Sequence, residues 1–324
     1  MIFFQIVVFV LSVLKLSSIT YAKDLWKLQG TVSSMFATRG RRFHMEDSYL
    51  LIENVNGTGI YGIFDGHSDG FSSKFAADKL GDMIQTELMK CASNPNDCIS
   101  TEKLNEEPTI DGMLKYFIGR IESLLKTLYA DIQLDTGTTC LIAIAEKDRL
   151  TVANVGDSRG VMCDSSGKAI ALSYDHKPDR EDEAQRIKEA GGHIFFSGVW
   201  RVKGLAVSRS LGDFLKKGNG AIIIPTPDIL TFDLNEHKPS FIILASDGLW
   251  DVMTNQYAVD FIGSSIDEPY FGAEKLVAEA LRLESKDNIT VVIVKFINGQ
   301  YVVRSAKGAV DSANGKVGSA NDSK

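Results

Sequence analysis

Residues 138–173 read "TTCLIAIAEKDRLTVANVGDSRGVMCDSSGKAIALS" and contain four short runs of strand-forming residues in close succession. Turn-forming residues separate many of these runs, as in the DSSGK segment between Cys163 and Ala169. Connections this short join antiparallel neighbours, because parallel strands need a crossover of a dozen residues or more. The stretch therefore predicts hairpins in an antiparallel sheet.

Comparable runs recur on both sides of this stretch: TVSSMFA, YLLIE and GIYGIF before it, FIILAS and NITVVIVKF after it. Helical periodicity occupies five further segments, at about residues 70–90, 113–129, 180–190, 255–262 and 272–283. The helices cluster between groups of strands and do not alternate with them one for one. This arrangement favours an α+β fold, with mainly antiparallel sheets covered by helices, over a doubly wound parallel fold.

The composition is that of an ordinary globular protein of 324 residues, of which 44% are hydrophobic and 24% charged. The net charge of −7 and the even spread of Lys and Arg leave no basic surface that would suit nucleic acid. We therefore expect no nucleic-acid partner.

The four cysteines, Cys91, Cys98, Cys140 and Cys163, leave three interpretations open. They form no CxxC pair and no Cys/His spacing suited to zinc. We favour small buried hydrophobic residues; the alternatives are a Cys91–Cys98 disulfide in an exposed loop and a reactive thiol.

The two ends differ in composition from the body. An apolar run dominates residues 1–22, and every nearby Lys or Arg follows it. Because positive charge tends to stay cytoplasmic, we expect a membrane anchor that leaves the globular part in the cytosol, with secretion after cleavage near Ala22 as the alternative. Residues 299–324 are rich in Gly, Ser, Ala, Lys and Asp, and we expect a disordered tail.

Acidic residues recur at the boundaries of strand-forming runs: Glu46, Asp47, Asp65, Asp157, Asp247, Asp251 and Asp287. A single Asp before Gly is ordinarily a turn former. Asp65 and Asp247 differ, because each follows a run apolar enough to be core, where an unpaired charge is costly. Oxygen ligands without cysteine select hard cations such as Mg²⁺ or Mn²⁺. Several carboxylates could hold a pair of such ions, which can activate a water for in-line displacement at phosphorus.

Eight motifs resemble, in order and spacing, those of the metal-dependent serine/threonine protein phosphatases of the protein phosphatase 2C (PPM) type. They are RGRRFHMED, FDGH, DTGTTCLIAI, VANVGDSRG, DHKPDREDEAQRIKEAGG, LAVSRSLGD, ILASDGLWDV and DNITVVIV. The resemblance covers residues 29–298 and implies one catalytic domain, with two packed, mainly antiparallel sheets flanked by helices. DEPYFGAEKLV and the hydrophobic N-terminus resemble a membrane-anchored member of the family.

The resemblance implies a centre of two Mn²⁺ or Mg²⁺ ions, with a weaker third ion as an option. Its ligands would be carboxylates and one backbone carbonyl: Asp65 bridging the two ions, the Gly66 carbonyl, Glu46, Asp47, Asp247 and Asp287, with Asp157 and Asp251 at the third site.

The resemblance also implies a catalytic group in which Asp65 acts with Arg42 and His67. Arg42 would bind the substrate phosphate, and His67 would protonate the departing Ser or Thr oxygen. Residues 175–205 would form a flap beside the site. The family usually has two glycines after the DGH motif, whereas this chain has Ser68 and Asp69, so an effect on the rate is expected.

The expected partners are phosphorylated proteins, and the catalytic domain is expected to be monomeric. An inactive phosphatase-fold scaffold that binds phosphoproteins is the alternative function. A second alternative is a serine hydrolase, because residues 156–160 match GxSxG. That motif requires a following helix, but the residues that follow predict a hairpin.

Three further expectations concern residues outside the metal centre. His44, His176, His193 and His237 are expected at the surface or in the flap, and residues 179–189 are expected to form a solvated acidic helix face. Residues 288–290 form a glycosylation sequon beside Asp287, where a glycan would obstruct the metal site. This favours the cytosolic location.

Overall fold

The strand-forming runs build two six-stranded sheets, and every neighbouring pair in them is antiparallel. In spatial order, the first sheet consists of β1 (Leu25–Gln29), β2 (Ser33–Thr38), β16 (Ile289–Lys295), β15 (Phe241–Ala245), β9 (Arg159–Cys163) and β10 (Ala169–Ala171). The second consists of β14 (Asp228–Asp233), β8 (Arg149–Val155), β7 (Cys140–Ala145), β4 (Thr58–Phe64), β3 (Ser48–Val55) and β17 (Lys316–Ser319). The predicted α+β class with antiparallel sheets is confirmed.

This architecture comes from a computed structural model that describes residues 25–94, 98, 109–132, 135–218, 222–303 and 316–319. The predicted anchor or signal segment at residues 1–22 lies outside these ranges. Among the helices in these ranges, none is long and apolar enough to cross a membrane.

The central strands are buried on both faces, which explains why their sequences are continuous apolar runs. In β7, Leu141 and Ala143 belong to the core between the two sheets, while Ile142 and Ile144 belong to the core between sheet and helices. Successive side chains of a strand point to opposite faces, so one apolar run fills two cores. Strand β15 alternates in the same way.

The helices cover the outer face of each sheet. Their bounds are α1 (Phe71–Ser93), α2 (Ile110–Ile132), α3 (Glu181–Glu189), α4 (Phe214–Lys217), α5 (Leu234–His237), α6 (Asp247–Trp250), α7 (Asn255–Gly263) and α8 (Ala273–Arg282), with a 3₁₀ turn at Pro269–Gly272 before α8. Helices α1 and α2 pack on the second sheet, and α6, α7 and α8 pack on the first. The described part of the chain is thus a four-layered α-β-β-α sandwich.

Two small sheets complete the fold. A hairpin of β11 (Ile194–Ser197) and β12 (Val199–Val202) lies within the predicted flap. A three-stranded sheet joins β13 (Leu211–Gly212), β6 (Gly137–Thr138) and β5 (Gly66–His67).

The structure excludes the serine hydrolase alternative. Strand β9 begins at Arg159, within the GxSxG residues, and continues past them, where the nucleophile motif requires a helix. Ser158 is fully buried, and its hydroxyl lies 2.7 Å from that of Thr139. A buried hydroxyl in this position cannot act as the exposed nucleophile of such an enzyme.

The favoured interpretation of the cysteines holds for only one pair. Cys140 and Cys163 are free and buried, as expected. Cys91 and Cys98 instead form a disulfide, which is the alternative that the sequence left open. Cys91 lies in the last turn of α1, and Cys98 is seven residues later in the chain.

The predicted solvated acidic face on α3 is wrong at Glu183. This side chain is 1% exposed, and it accepts hydrogen bonds from Arg186, Arg209 and Ser208. Burial alone would raise the pKa of Glu183, but these donors lower it to about 2. Local spacing does not reveal a partner that is 26 residues away.

His176 lies in the flap segment, as expected, but it is fully buried. Its Nε2 lies 3.0 Å from a carboxylate oxygen of Asp228, and its Nδ1 lies 3.1 Å from the backbone nitrogen of Gly156. It therefore fastens the base of the flap to strands β8 and β14.

Strand β17 lies inside the segment 299–324 that we expected to be disordered. It pairs with β3 from Lys316 to Ser319, because an edge strand offers unpaired backbone groups. The structure describes these four residues as a strand, and the disordered tail and the domain boundaries stay predictions.

Replacement of Leu141, which is fully buried between the sheets, tests the assignment of this core. We expect Leu141→Ala to lower the free energy of unfolding by about 2–5 kcal/mol, because a cavity replaces packed atoms. Leu215→Ala is the matched control, since Leu215 is 71% exposed, and it should change stability by less than about 0.5 kcal/mol. Urea unfolding measures both; equal effects would contradict the core assignment.

Candidate active site

The loop between β2 and β3 carries Arg42 and Glu46, and Asn288 fixes its shape. The Asn288 side-chain nitrogen donates to the backbone carbonyls of Arg39, at 2.8 Å, and His44, at 2.9 Å. Its side-chain oxygen accepts from the Glu46 backbone nitrogen at 2.8 Å. Asn288, the first residue of the predicted sequon, is therefore a buried clamp. It holds the loop against the segment before β16, which carries the metal-ligand candidate Asp287.

Asp65 stands directly after β4, on backbone that is held from two sides. Its nitrogen donates to the Thr139 hydroxyl at 2.9 Å, and its carbonyl accepts from the Thr138 hydroxyl at 3.1 Å. Gly66 follows in close contact with the first loop: a Cβ there would lie 2.4 Å from the Glu46 carbonyl oxygen. Only glycine lets the two segments approach this closely.

Asp247 and Asp251 lie at the end of β15, where α6 begins. They are four residues apart around one helical turn, so their side chains share a face. Gly248 allows this turn to pack on the clamp residue, because a Cβ there would lie 1.9 Å from the Asn288 carbonyl oxygen. Asp247, Asp251, Asp287 and Arg42 then line one groove of about 680 Å³.

The carboxylates at these strand ends, Asp65 and Asp247, lie among other acidic side chains. Burial raises the pKa of Asp65 well above its ordinary value, and the neighbouring Asp47 and Asp247 carboxylates raise it further. Burial also raises the pKa of Asp247 well above its ordinary value, and the Asp157 and Asp251 carboxylates raise it further. Charged groups that raise one another's pKa in this way disfavour their own ionised forms. A cation bound among them would remove that cost.

Two cationic side chains compensate part of this charge. Lys177 forms an ion pair with Asp157, and Arg42 forms one with Asp287. Burial alone would lower the pKa of Lys177, but Asp157 and Asp247 raise it above its ordinary value. Lys177 was not among the predicted site residues, although it lies in the DHKP motif that carried the resemblance.

Asp47 is buried and faces hydroxyl groups. One carboxylate oxygen accepts from the Thr290 hydroxyl at 2.6 Å and from the Ser246 hydroxyl at 2.8 Å. Burial nevertheless raises its pKa to about 7. Asp47 therefore ties β3 to β15 and β16 behind Asp65, and its role as a metal ligand stays a prediction.

The donor set fits a site for hard divalent cations. All the candidate ligands are oxygen atoms, as Mg²⁺ and Mn²⁺ prefer. Among the residues that the structure describes, no three of these carboxylates bring ligand oxygens within 4.8 Å of one another.

His67 lies on β5 and is paired with Asp213, which the sequence analysis also missed as a site residue. The His67 Nε2 lies 2.8 Å from both carboxylate oxygens of Asp213, and Ser210 donates to that carboxylate at 2.7 Å. Burial alone would raise the pKa of Asp213, but the His67 hydrogen bond and charge hold it below its ordinary value. The sequence contained a signal for Asp213, because it is the last residue of LAVSRSLGD, one of the motifs that carried the resemblance.

The Ser68-Asp69 departure from the family pattern is accommodated at the start of α1. The Asp69 carboxylate accepts from the Phe71 backbone nitrogen at 2.8 Å and from the Thr136 hydroxyl at 3.0 Å. Its side chain is therefore committed to holding the turn. Its charge still contributes to raising the pKa of Glu46, behind the larger effect of burial.

Comparison with known proteins agrees with this geometry. The family model "Protein phosphatase 2C" matches residues 31–289. Protein phosphatase 1L from Bos taurus is 44% identical over 278 residues, covering 84% of this chain and 74% of that protein. Probable protein phosphatase 2C 45 from Oryza sativa subsp. japonica is 41% identical over 265 residues, covering 81% of this chain and 86% of that protein.

A solved structure extends the likeness to the fold. The serine-threonine phosphatase 2C from Toxoplasma gondii superposes with a TM-score of 0.66 at 23% identity, covering 85% of this chain and 98% of that one. The family match over most of the chain, the two relatives above 40% identity and this fold lead to one conclusion: the chain belongs to the protein phosphatase 2C family of metal-dependent protein serine/threonine phosphatases.

Proposed function

We propose that the chain hydrolyses phosphoserine and phosphothreonine in proteins at a centre of two Mn²⁺ or Mg²⁺ ions. The observation that carries this proposal is the convergence of Asp247, Asp251 and Asp287 with Arg42 on one groove. Asp65, the Gly66 carbonyl, Glu46, Asp247 and Asp287 would hold the two ions, and Asp157 and Asp251 a weaker third. When bound, such ions lower the pKa of a coordinated water and offset charge on the phosphate.

Arg42 is placed to bind the phosphate oxygens of the substrate. Its side chain is 54% exposed and lines the groove, while its guanidinium contacts Asp287. A planar guanidinium has several N–H donors, so it can hold a neighbouring carboxylate and still donate to phosphate. This contact would orient the phosphorus towards the carboxylate cluster.

We propose that His67 protonates the departing serine or threonine oxygen. An alkoxide is a poor leaving group, so proton transfer from a positioned acid accelerates its departure. The Asp213 carboxylate, 2.8 Å from the His67 Nε2, would hold the ring in one orientation and leave Nδ1 for the proton transfer. The reaction as proposed uses water as the nucleophile and forms no phosphoenzyme.

Asp247→Asn tests the proposed centre. We expect the variant to lose most phosphate release from a phosphothreonine peptide in Mn²⁺, because one charge of the cluster is removed while the side-chain shape is kept. EDTA should abolish turnover by the unmodified chain. Asp267→Asn is the control, since that side chain is 94% exposed, and it should retain activity. Full activity of Asp247→Asn would contradict the assignment.

Asp213→Asn tests the role of His67 through the choice of substrate. We expect kcat for a phosphothreonine peptide to fall roughly 10-fold to 100-fold, because the ring loses its charged positioning partner. Turnover of para-nitrophenyl phosphate should fall much less, since its leaving group needs no proton. Equal losses for both substrates would assign Asp213 a structural role only.

We further propose that residues 1–22 contact a membrane, that the catalytic domain faces the cytosol, and that this domain is monomeric. The Asn288 clamp supports the location, because a glycan on its side-chain nitrogen is incompatible with the two hydrogen bonds that it donates. The Cys91–Cys98 disulfide points the other way, towards an oxidising compartment and secretion after cleavage near Ala22.

A second sequon provides a test of location. Asn56-Gly57-Thr58 lies on the turn between β3 and β4, and Asn56 is exposed there. If the domain faces the cytosol, the full chain made in eukaryotic cells should keep its electrophoretic mobility after treatment with peptide N-glycosidase. A mobility shift that Asn56→Gln abolishes would place the domain in the secretory pathway.

A further inference from the structure

The groove that holds the catalytic carboxylates continues to the β11–β12 hairpin. One side is formed by Asp247, Asp251 and Asp287, and the same groove is lined by Phe196, Val199 and Trp200 of the hairpin. A phosphate bound at the carboxylate end therefore places the residues next to it in the substrate chain within reach of these apolar side chains.

The hairpin is anchored at its base and apolar at its tip. At the base, Val202 and Ile194 pack with Ile187, Ile223 and Leu205 in a small separate cluster. This cluster fixes the hairpin on α3 and leaves the tip to project beside the groove. Packing at the base thus explains why Ile194 and Val202 are apolar, but it does not explain the apolar residues at the tip.

The tip presents a preformed aromatic surface. Phe196 pairs in register with Trp200, and their ring centroids lie 5.5 Å apart in an edge-to-face arrangement. Phe196 is 64% exposed, Val199 48% and Trp200 40%. Exposed aromatic surface beside a functional groove is a common feature of binding sites, since covering it is favourable.

We propose that Phe196, Val199 and Trp200 form a subsite for a large apolar side chain that flanks the phosphorylated Ser or Thr of the protein substrate. This inference rests on the proposed function and adds a substrate preference to it. The occupant is a segment of the substrate, because the hairpin lines the same groove as the proposed metal ligands Asp247 and Asp287, where the substrate phosphate would bind. Arg201 and Lys286, which also line the groove, suit a phosphorylated chain.

Two phosphothreonine peptides test the subsite, one with Leu and one with Ser on both sides of the phosphorylated residue. We expect the unmodified enzyme in Mn²⁺ to prefer the Leu peptide roughly tenfold in kcat/KM, as expected for one apolar side chain in a pocket. The double variant Phe196→Ser/Trp200→Ser should turn over both peptides equally. Its turnover of para-nitrophenyl phosphate, which is too small to reach the hairpin, should stay within about twofold.

Phe195→Ser is the matched control. Phe195 is a neighbouring aromatic residue on the same strand and is 48% exposed, but it is not part of the groove lining. This variant should keep the preference for Leu. Should the double variant unfold, Phe196→Gln alone provides the same comparison, with a reduced preference expected.

Two results would overturn the inference. One is an unmodified enzyme without preference between the peptides, and the other is a double variant that keeps the preference. A hairpin that instead mediates dimers, seen as a mass that falls from dimer to monomer in the double variant without a change in peptide preference, would also overturn it. Failure of the proposed function looks different, since para-nitrophenyl phosphate would then not be turned over by the unmodified enzyme.

Discussion

Mutual repulsion among carboxylates is the constraint that organises this molecule. Asp65 and Asp247 each lie where burial and neighbouring acids raise their pKa, and the ion pairs of Lys177 and Arg42 offset only part of the charge. Such a cluster opposes folding unless cations join it or protons neutralise it. Divalent ions do so while leaving the oxygen atoms ionised, and the same ions supply the chemistry that phosphate hydrolysis needs.

The sandwich provides the rigidity that this arrangement requires. Strands buried on both faces end at the cluster, since Asp65 and Asp247 follow the core strands β4 and β15. Hydrogen bonds then lock the connecting loops: Asn288 clamps the loop of Arg42 and Glu46, and Asp47 ties three strands together behind Asp65. A site held by core strands and side-chain clamps can keep like charges close without spreading apart.

Local sequence patterns predicted what depends on local structure. The central strands and the longer helices were predicted from their periodicity, and the carboxylates were predicted because they recur at strand ends. Features that depend on partners far along the chain were missed. Asp213 reaches His67 across 146 residues, and the buried Glu183 is paired with Arg209 from another segment.

Some features were visible but ambiguous. Nothing in the spacing of Cys91 and Cys98 decides between two buried thiols and a disulfide, since both depend on how the chain turns after α1. The apolar residues at the hairpin tip have the sequence pattern of an ordinary strand. Only the three-dimensional structure shows that they line the groove and do not enter the core. The resemblance to a family brought together motifs whose spatial convergence no local pattern could show.

Cation binding by the carboxylate cluster is the central claim, and calorimetric titration of Mn²⁺ into the EDTA-treated, dialysed protein tests it most directly. We predict saturable binding of two ions per chain with a weaker third, and loss of the tight sites in Asp65→Asn. The claim would be contradicted if the folded, unmodified protein gave only the heat of dilution. It would also be contradicted if the unmodified protein and Asp65→Asn gave identical titrations.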